Sequence, residues 1–153
     1  MLGKVFSLSL IMVLGIGLVI STSNAEIDHL KPLSESNLDL NLPKDSGYFA
    51  LRCSALSAAQ FRVLSSDPPS QQVVKELHER FFTISVRSYL VVTKLTEPSL
   101  LEDLANKVLN FTNSYSKVME TTFQNTGDYF DGNPLIEKDT NDCSAAAQQL
   151  LSK

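Results

Sequence analysis

Cys53 and Cys143, His29 and His78, and the carboxylates scattered from Asp128 to Asp139 are the side chains in this sequence best suited to chemistry. Paired thiols and imidazoles would suit a zinc site, but zinc wants its ligands at tight local spacing. No His-x-x-x-His, His-Glu-x-x-His or Cys-x-x-Cys occurs. His78 lies in KELHERFF between Glu76 and Glu79, and on a helix those carboxylates point elsewhere. Both histidines therefore read as lone surface or boundary residues, and no metal site is expected.

Covalent haem needs Cys-x-x-Cys-His, which is absent. A non-covalent haem would need inward axial ligands, for which His78 and Met119 are the candidates. Met119 reads more simply as a flexible core filler, and no cofactor is expected. Asp128, Asp131, Asn133, Glu137 and Asp139 resemble a calcium loop in composition only. Counting from Asp128, an EF-hand needs oxygen donors at its third and fifth positions and glycine at its sixth. Those places hold Phe130, Gly132 and Asn133, so the segment reads as a solvated acidic loop.

Hydrolytic and phosphate-binding signatures are missing too. There is no Gly-x-Ser-x-Gly, and no glycine-rich loop among Gly47, Gly127 and Gly132. No pair of carboxylates faces inward on the helical stripes, as a glycosidase or a di-iron bundle would require. The sequence nominates no catalytic residue, and the expectation is a protein that is not an enzyme. One glycosylation sequon, Asn110-Phe111-Thr112, abuts a buried stripe, and motifs this short recur by chance.

The two cysteines make most sense with the N-terminus. Lys4 precedes an apolar run from Val5 to Ile20, and Ser23 and Ala25 carry the small side chains of a signal-peptidase site. Cleavage after Ala25 is expected. A retained anchor is the alternative, yet the apolar run falls short of the roughly 20 residues that a spanning helix needs. Export, to a periplasm or beyond the cell, places the thiols in an oxidising compartment where an even pair bonds. A Cys53–Cys143 bond closes a loop of 90 residues, worth about 4–5 kcal/mol in the chain-entropy model.

Without the leader, 128 residues carry a net charge of −5, enough chain for one domain. An acidic chain without a basic block argues against a nucleic-acid partner and against strong attachment to anionic lipid. No stable membrane insertion is expected after cleavage.

Residues 26–45 mix charges, serines and prolines without a period, and read as a mobile or loosely packed arm. The domain proper is expected over 46–153. Asp45-Ser46-Gly47 offers a start for a first helix over about 47–65, with Phe49, Cys53, Leu56 and Val63 along one stripe. Asp67 before two prolines is a helix cap. Beyond it, Val74, Leu77, Phe81, Ile84, Ser88, Val91 and Leu95 step by three and four.

Ser99 and Glu102 have capping-box spacing. A second seam follows through Leu101, Leu104, Val108, Phe111, Tyr115 and Val118, widened by Met119 and Phe123, up to a helix stop at Gly127. A last helix, starting between Pro134 and Thr140, turns Ile136, Cys143, Ala146 or Ala147, and Leu150 inward.

The fold expected is all-α: an antiparallel bundle of about four helices. Two long central helices pack along their seams, and shorter first and last helices are tied by the disulfide. The expected function is binding or structural contact with an unknown protein or a small apolar ligand. The Ala/Ser-rich first helix is the candidate surface, unless its small side chains serve only close packing. A pocket between the long helices near Ser88 and Tyr115 is a second candidate, unless both hydroxyls are satisfied internally. The rival expectation is a stress-responsive holdase that opens under acid or reduction to bind non-native chains.

Overall fold

A computed structural model describes residues 30–151 of the chain. The expected leader 1–25, its cleavage site and His29 lie outside the described residues, as does the side chain of Leu150. Four helices follow a short 3-10 turn at Leu33–Glu35: α1 Pro43–Val63, α2 Pro68–Leu90, α3 Glu97–Thr126 and α4 Pro134–Leu151. There is no strand among the described residues. The all-α bundle is as expected, with α2 and α3 the longest helices.

The helix ends follow local chemistry. Asp67 accepts from the Ser70 backbone N–H and hydroxyl ahead of α2, and Gly127 ends α3 in the left-handed region at φ 79°. Two starts differ from expectation, those of α1 and α3, while α4 starts at the early end of its expected range. α1 begins at Pro43, whose fixed φ suits a first helical position, so Gly47 lies inside the helix. α3 begins at Glu97, with Pro98 in the first turn where its missing N–H is harmless, so Ser99 and Glu102 are already helical and do not cap it. α4 begins at Pro134, and the Asn133 side chain accepts from the N–H groups of Leu135 and Ile136 at 3.0 and 3.4 Å. α2 stops at Leu90, so the expected seam positions Val91 and Leu95 fall beyond it and are 71% and 50% exposed.

The packing centre is also different. The long helices touch each other little; α1 takes the middle, against α2 most extensively and α3 next. Every residue from Ala50 to Ser57 is buried, which requires neighbours on all sides of the helix. Small side chains at Ala50, Ser54, Ala55 and Ala59 permit that approach. Antiparallel α1–α2 pairing shows in the Ser46–Ser88 hydroxyl contact at one end and Gln71 donating to the Phe61 carbonyl at the other. Phe81 of α2 and Leu100, Leu104, Tyr115 and Met119 of α3 fill the core around α1. Leu100 takes the inner place expected of Leu101.

The Cys53 and Cys143 sulfurs stand at bonding distance, 2.00 Å, joining α1 to α4. The described part of the expected loose arm is docked: Leu33 is buried in the core and Leu38 packs against it. Among the described residues no helix is long and apolar enough to cross a membrane.

Candidate functional site

The largest fully buried side chain is an arginine. Arg52, directly before Cys53 on α1, is 1% exposed, and Asp139, one turn before Cys143 on α4, is 0% exposed. Burying either charge alone would be prohibitive, and they meet at 2.5 Å between Nη2 and Oδ2.

The remaining valences are filled around them. Arg52 Nε donates to the Tyr115 hydroxyl at 2.7 Å, Nη1 to the Tyr48 hydroxyl at 3.0 Å and Nη2 to the Lys31 carbonyl at 3.2 Å. The Tyr115 hydroxyl donates to Asp139 Oδ2, while the Leu33 N–H donates to Oδ1 at 2.6 Å. The rings of Tyr115, Phe111 and Tyr48 surround the guanidinium at 5.3, 5.6 and 5.9 Å.

Burial alone would lower the Arg52 pKa, but Tyr115, Asp139 and Tyr48 outweigh it and the net direction is upward. Burial is the leading cause that pushes the Tyr115 phenol well above its usual value, so it keeps the proton it donates. Both oxygens of Asp139 have partners, and the network joins α1, α3, α4 and the segment before α1. Its chemistry is that of a saturated clamp. A loose or reactive proton is not part of it.

Ser54 and His78 make a second polar contact, between α1 and α2. The Ser54 hydroxyl lies 2.9 Å from His78 Nδ1 and 3.1 Å from the His78 carbonyl, and Nδ1 lies 3.1 Å from the Ser54 carbonyl. An Nδ1–H tautomer satisfies all of this: Nδ1–H donates to one carbonyl and the hydroxyl to the other. Ser54 is 0% exposed, so the pair joins two helices and presents no nucleophile. His78 stacks on Phe82 and lines a surface groove of about 410 Å³ with Phe61, Arg62 and Lys75. Met119, its partner in the haem expectation, is fully buried in the core on α3.

The residues read as a calcium-like loop have other tasks. Asp128 accepts from the N–H groups of Phe130 and Asp131, and Glu137 from that of Gly132. Asn133 caps α4, Asp131 is exposed and Asp139 belongs to the clamp. Among the described residues no group of three or more His, Cys, Asp or Glu is placed to hold a metal ion.

The other expected sites also resolve into structure. Ser88 meets Ser46, and Tyr115 is taken up by Arg52 and Asp139, so the two hydroxyls do not share a pocket. Asn110 is exposed, while the Thr112 hydroxyl of the same sequon donates inward to the Ala55 carbonyl. The Ala/Ser-rich face of α1, expected as a contact surface, is buried by α2 and α3 because small residues allow close packing. The clamp was missed by sequence reasoning. Its signal was adjacency: Arg52 beside Cys53, and Asp139 three residues after the inward Ile136.

The apolar residues left outside concentrate at one end. Leu90, Val91, Val92 and Leu95 are 39%, 71%, 50% and 50% exposed, all in or beside the α2–α3 turn. Leu42, 52% exposed, directly precedes α1, whose start meets the end of α2 through Ser46 and Ser88. No protein-family profile matches the chain, and no curated protein or solved structure matches it either.

Proposed function

We propose that the chain is an exported helical-bundle protein that works by non-covalent contact and carries out no chemistry of its own. The observation that carries this reading is the cluster of exposed apolar residues at the α2–α3 turn. An apolar surface kept in water across consecutive positions is the mark of an interaction site. The fate of the buried polar groups agrees with it: Arg52, Asp139, Tyr115 and Ser54 all hold helices together. The disulfide between α1 and α4 is compatible with an oxidising compartment, which supports export. A small apolar ligand in the Phe61–His78 groove is the alternative occupant within the same reading.

Native mass spectrometry of the protein recovered from the envelope or medium tests this. A chain starting at Glu26 that gains two hydrogens on reduction, and carries added native mass, is the expected result. An uncleaved chain with free thiols would remove the basis for export.

One observation favours the holdase reading as the second. α4 touches α1, α3 and the 3-10 turn only sparsely, so the disulfide and the clamp hold it in place. Loss of both would uncover the α1 core. Client binding only after reduction at low pH would support that reading, and a reduced chain that stays closed would end it.

A further inference from the structure

Between α4 and the segment that precedes α1 lies a groove, and we propose that it binds a small primary ammonium ion carried on an aliphatic body. The site does not use the α2–α3 turn, so it stands or falls apart from the contact reading above.

Three parts of the chain wall the groove. Leu33, Leu38 and Leu40 come from the segment before α1, Phe49 from α1, and Asp142 and Ala146 from α4. Its volume is about 370 Å³, near the small end of the range for ligand pockets. A stable protein partner would need a patch far broader than these walls. Leu40 is 52% exposed, and an aliphatic tail lying in the groove would cover it.

The walls are mainly hydrocarbon, and the one charged side chain lining them among the described residues is a carboxylate. Asp142 Oδ2 is buried and has no hydrogen-bond partner. Asp139, three residues earlier on the same helix, has donors on both oxygens. A carboxylate oxygen drawn out of water without a donor is costly, and a charged N–H group relieves that cost more fully than a neutral one. The carboxyl group turns readily about its last bond, so a donor in the groove can be met by either oxygen.

The cation one turn away does not serve. Lys138 Nζ is bonded to Glu35 at 2.6 Å, and its pKa is raised first by that hydrogen bond and by the charge of Glu35, and only last by Asp142. The negative charge of Asp142 is therefore left for a ligand. A bare metal ion would need a shell of oxygen ligands, and among the described residues no group of three or more His, Cys, Asp or Glu is placed to supply one. An ammonium group needs one carboxylate, and the Phe49 ring in the same groove is a second group that attracts cations.

Hexylammonium chloride is the probe, added to the full disulfide-bonded chain. Hexanol controls for the tail and methylammonium for the head. Backbone amide signals of residues 37–40 and 142–146 are followed by heteronuclear NMR. The expected result is saturable shifts there with hexylammonium, and binding weaker by about tenfold for either control. Asp142→Asn keeps the shape and removes the charge; it should weaken hexylammonium by about tenfold and leave hexanol unchanged. Ala145→Phe, at an exposed position of the wall, should fill the groove and weaken both, with the rest of the spectrum unmoved.

No saturable shift in the wild type would overturn the inference, as would equal affinity of hexylammonium for the wild type and Asp142→Asn. Shifts centred on Phe61 and His78 would assign the ligand to the other groove and overturn it too. A lysine-containing peptide that shifts residues 37–40 where hexylammonium does not would overturn the free amine in favour of a protein partner.

Discussion

Helix α1 meets α2 and α4 by different means. Toward α2 it presents Gly47, Ser54 and Ala58, and the backbones come close: a methyl group added at Gly47 would lie 3.0 Å from the Tyr89 ring and 3.2 Å from Ser88 Cβ. Toward α4 it presents Arg52, Cys53 and Gln60, which make an ion pair, a disulfide and a long hydrogen bond to Thr140. The first interface is extensive and adds many weak contacts. The second is sparse and depends on a few directional groups. Extensive packing degrades gradually when one contact is lost, whereas a sparse polar junction fails at single atoms.

Removing the disulfide tests the sparse side hardest. Cys53→Ala with Cys143→Ala should lower stability by about 4–5 kcal/mol in urea denaturation. A loss below about 1 kcal/mol would mean that packing alone holds α4, and would erase the contrast. Asp139→Ala comes next, at about 3–5 kcal/mol, because Arg52 is left charged and unpaired in the core. The double change Arg52→Met with Asp139→Leu should recover most of that loss, since it removes both charges together. Because these positions adjoin the cysteines, the effects of clamp and disulfide will not add.

On the extensive side, Gly47→Val should cost about 1–3 kcal/mol through overpacking against Ser88 and Tyr89. No change in the urea midpoint would show that α1 and α2 can move apart freely.

Tyr115→Phe is the smallest of the four, about 1–2 kcal/mol at neutral pH, through a lost donor to Asp139 and a lost acceptor for Arg52. It also changes the pH profile. Burial raises the Tyr115 pKa in the folded protein, so above pH of about 10 the unfolded chain loses this proton first. That stability is complete below the unfolded pKa and declines as pH rises toward the folded one. Tyr89, raised mainly by burial as well, adds a slope of the same sign. The wild type should therefore lose stability in alkali, and Tyr115→Phe should flatten the curve without levelling it.

What the sequence disclosed was what is local. Asp67 before two prolines, Gly127 after a long stripe and the three-four steps through Val74, Phe81, Leu104 and Tyr115 each depend on a few adjacent residues, and each lies where the pattern put it. The cysteine pair was legible because only one pairing exists. The centre of the bundle was not, since the longest apolar stripes suggested α2 and α3. Centrality belongs to α1 because small side chains at Ala50, Ser54, Ala55 and Ala59 are spread over several of its faces, a property that stripe counting passes over. Arg52 and Asp139 were hidden by 87 positions of separation and by a helix start that came early enough to lift Asp139 out of the acidic loop. Drawing the disulfide first would have exposed them, as each lies beside a cysteine.

The docking of Leu33 has a consequence for the order in which the molecule can be finished. Its N–H needs Asp139, 106 residues later, and Lys138 reaches back to Glu35 across 103. A chain delivered from its N-terminus can assemble α1 with α2 early, because their contacts are close in sequence. It must hold Arg52 unpaired until nearly the whole polypeptide has emerged. Completion is therefore a closing event, in which the late residues seal the early ones, and a chain halted before Asp139 would remain open to degradation however well its first three helices had formed.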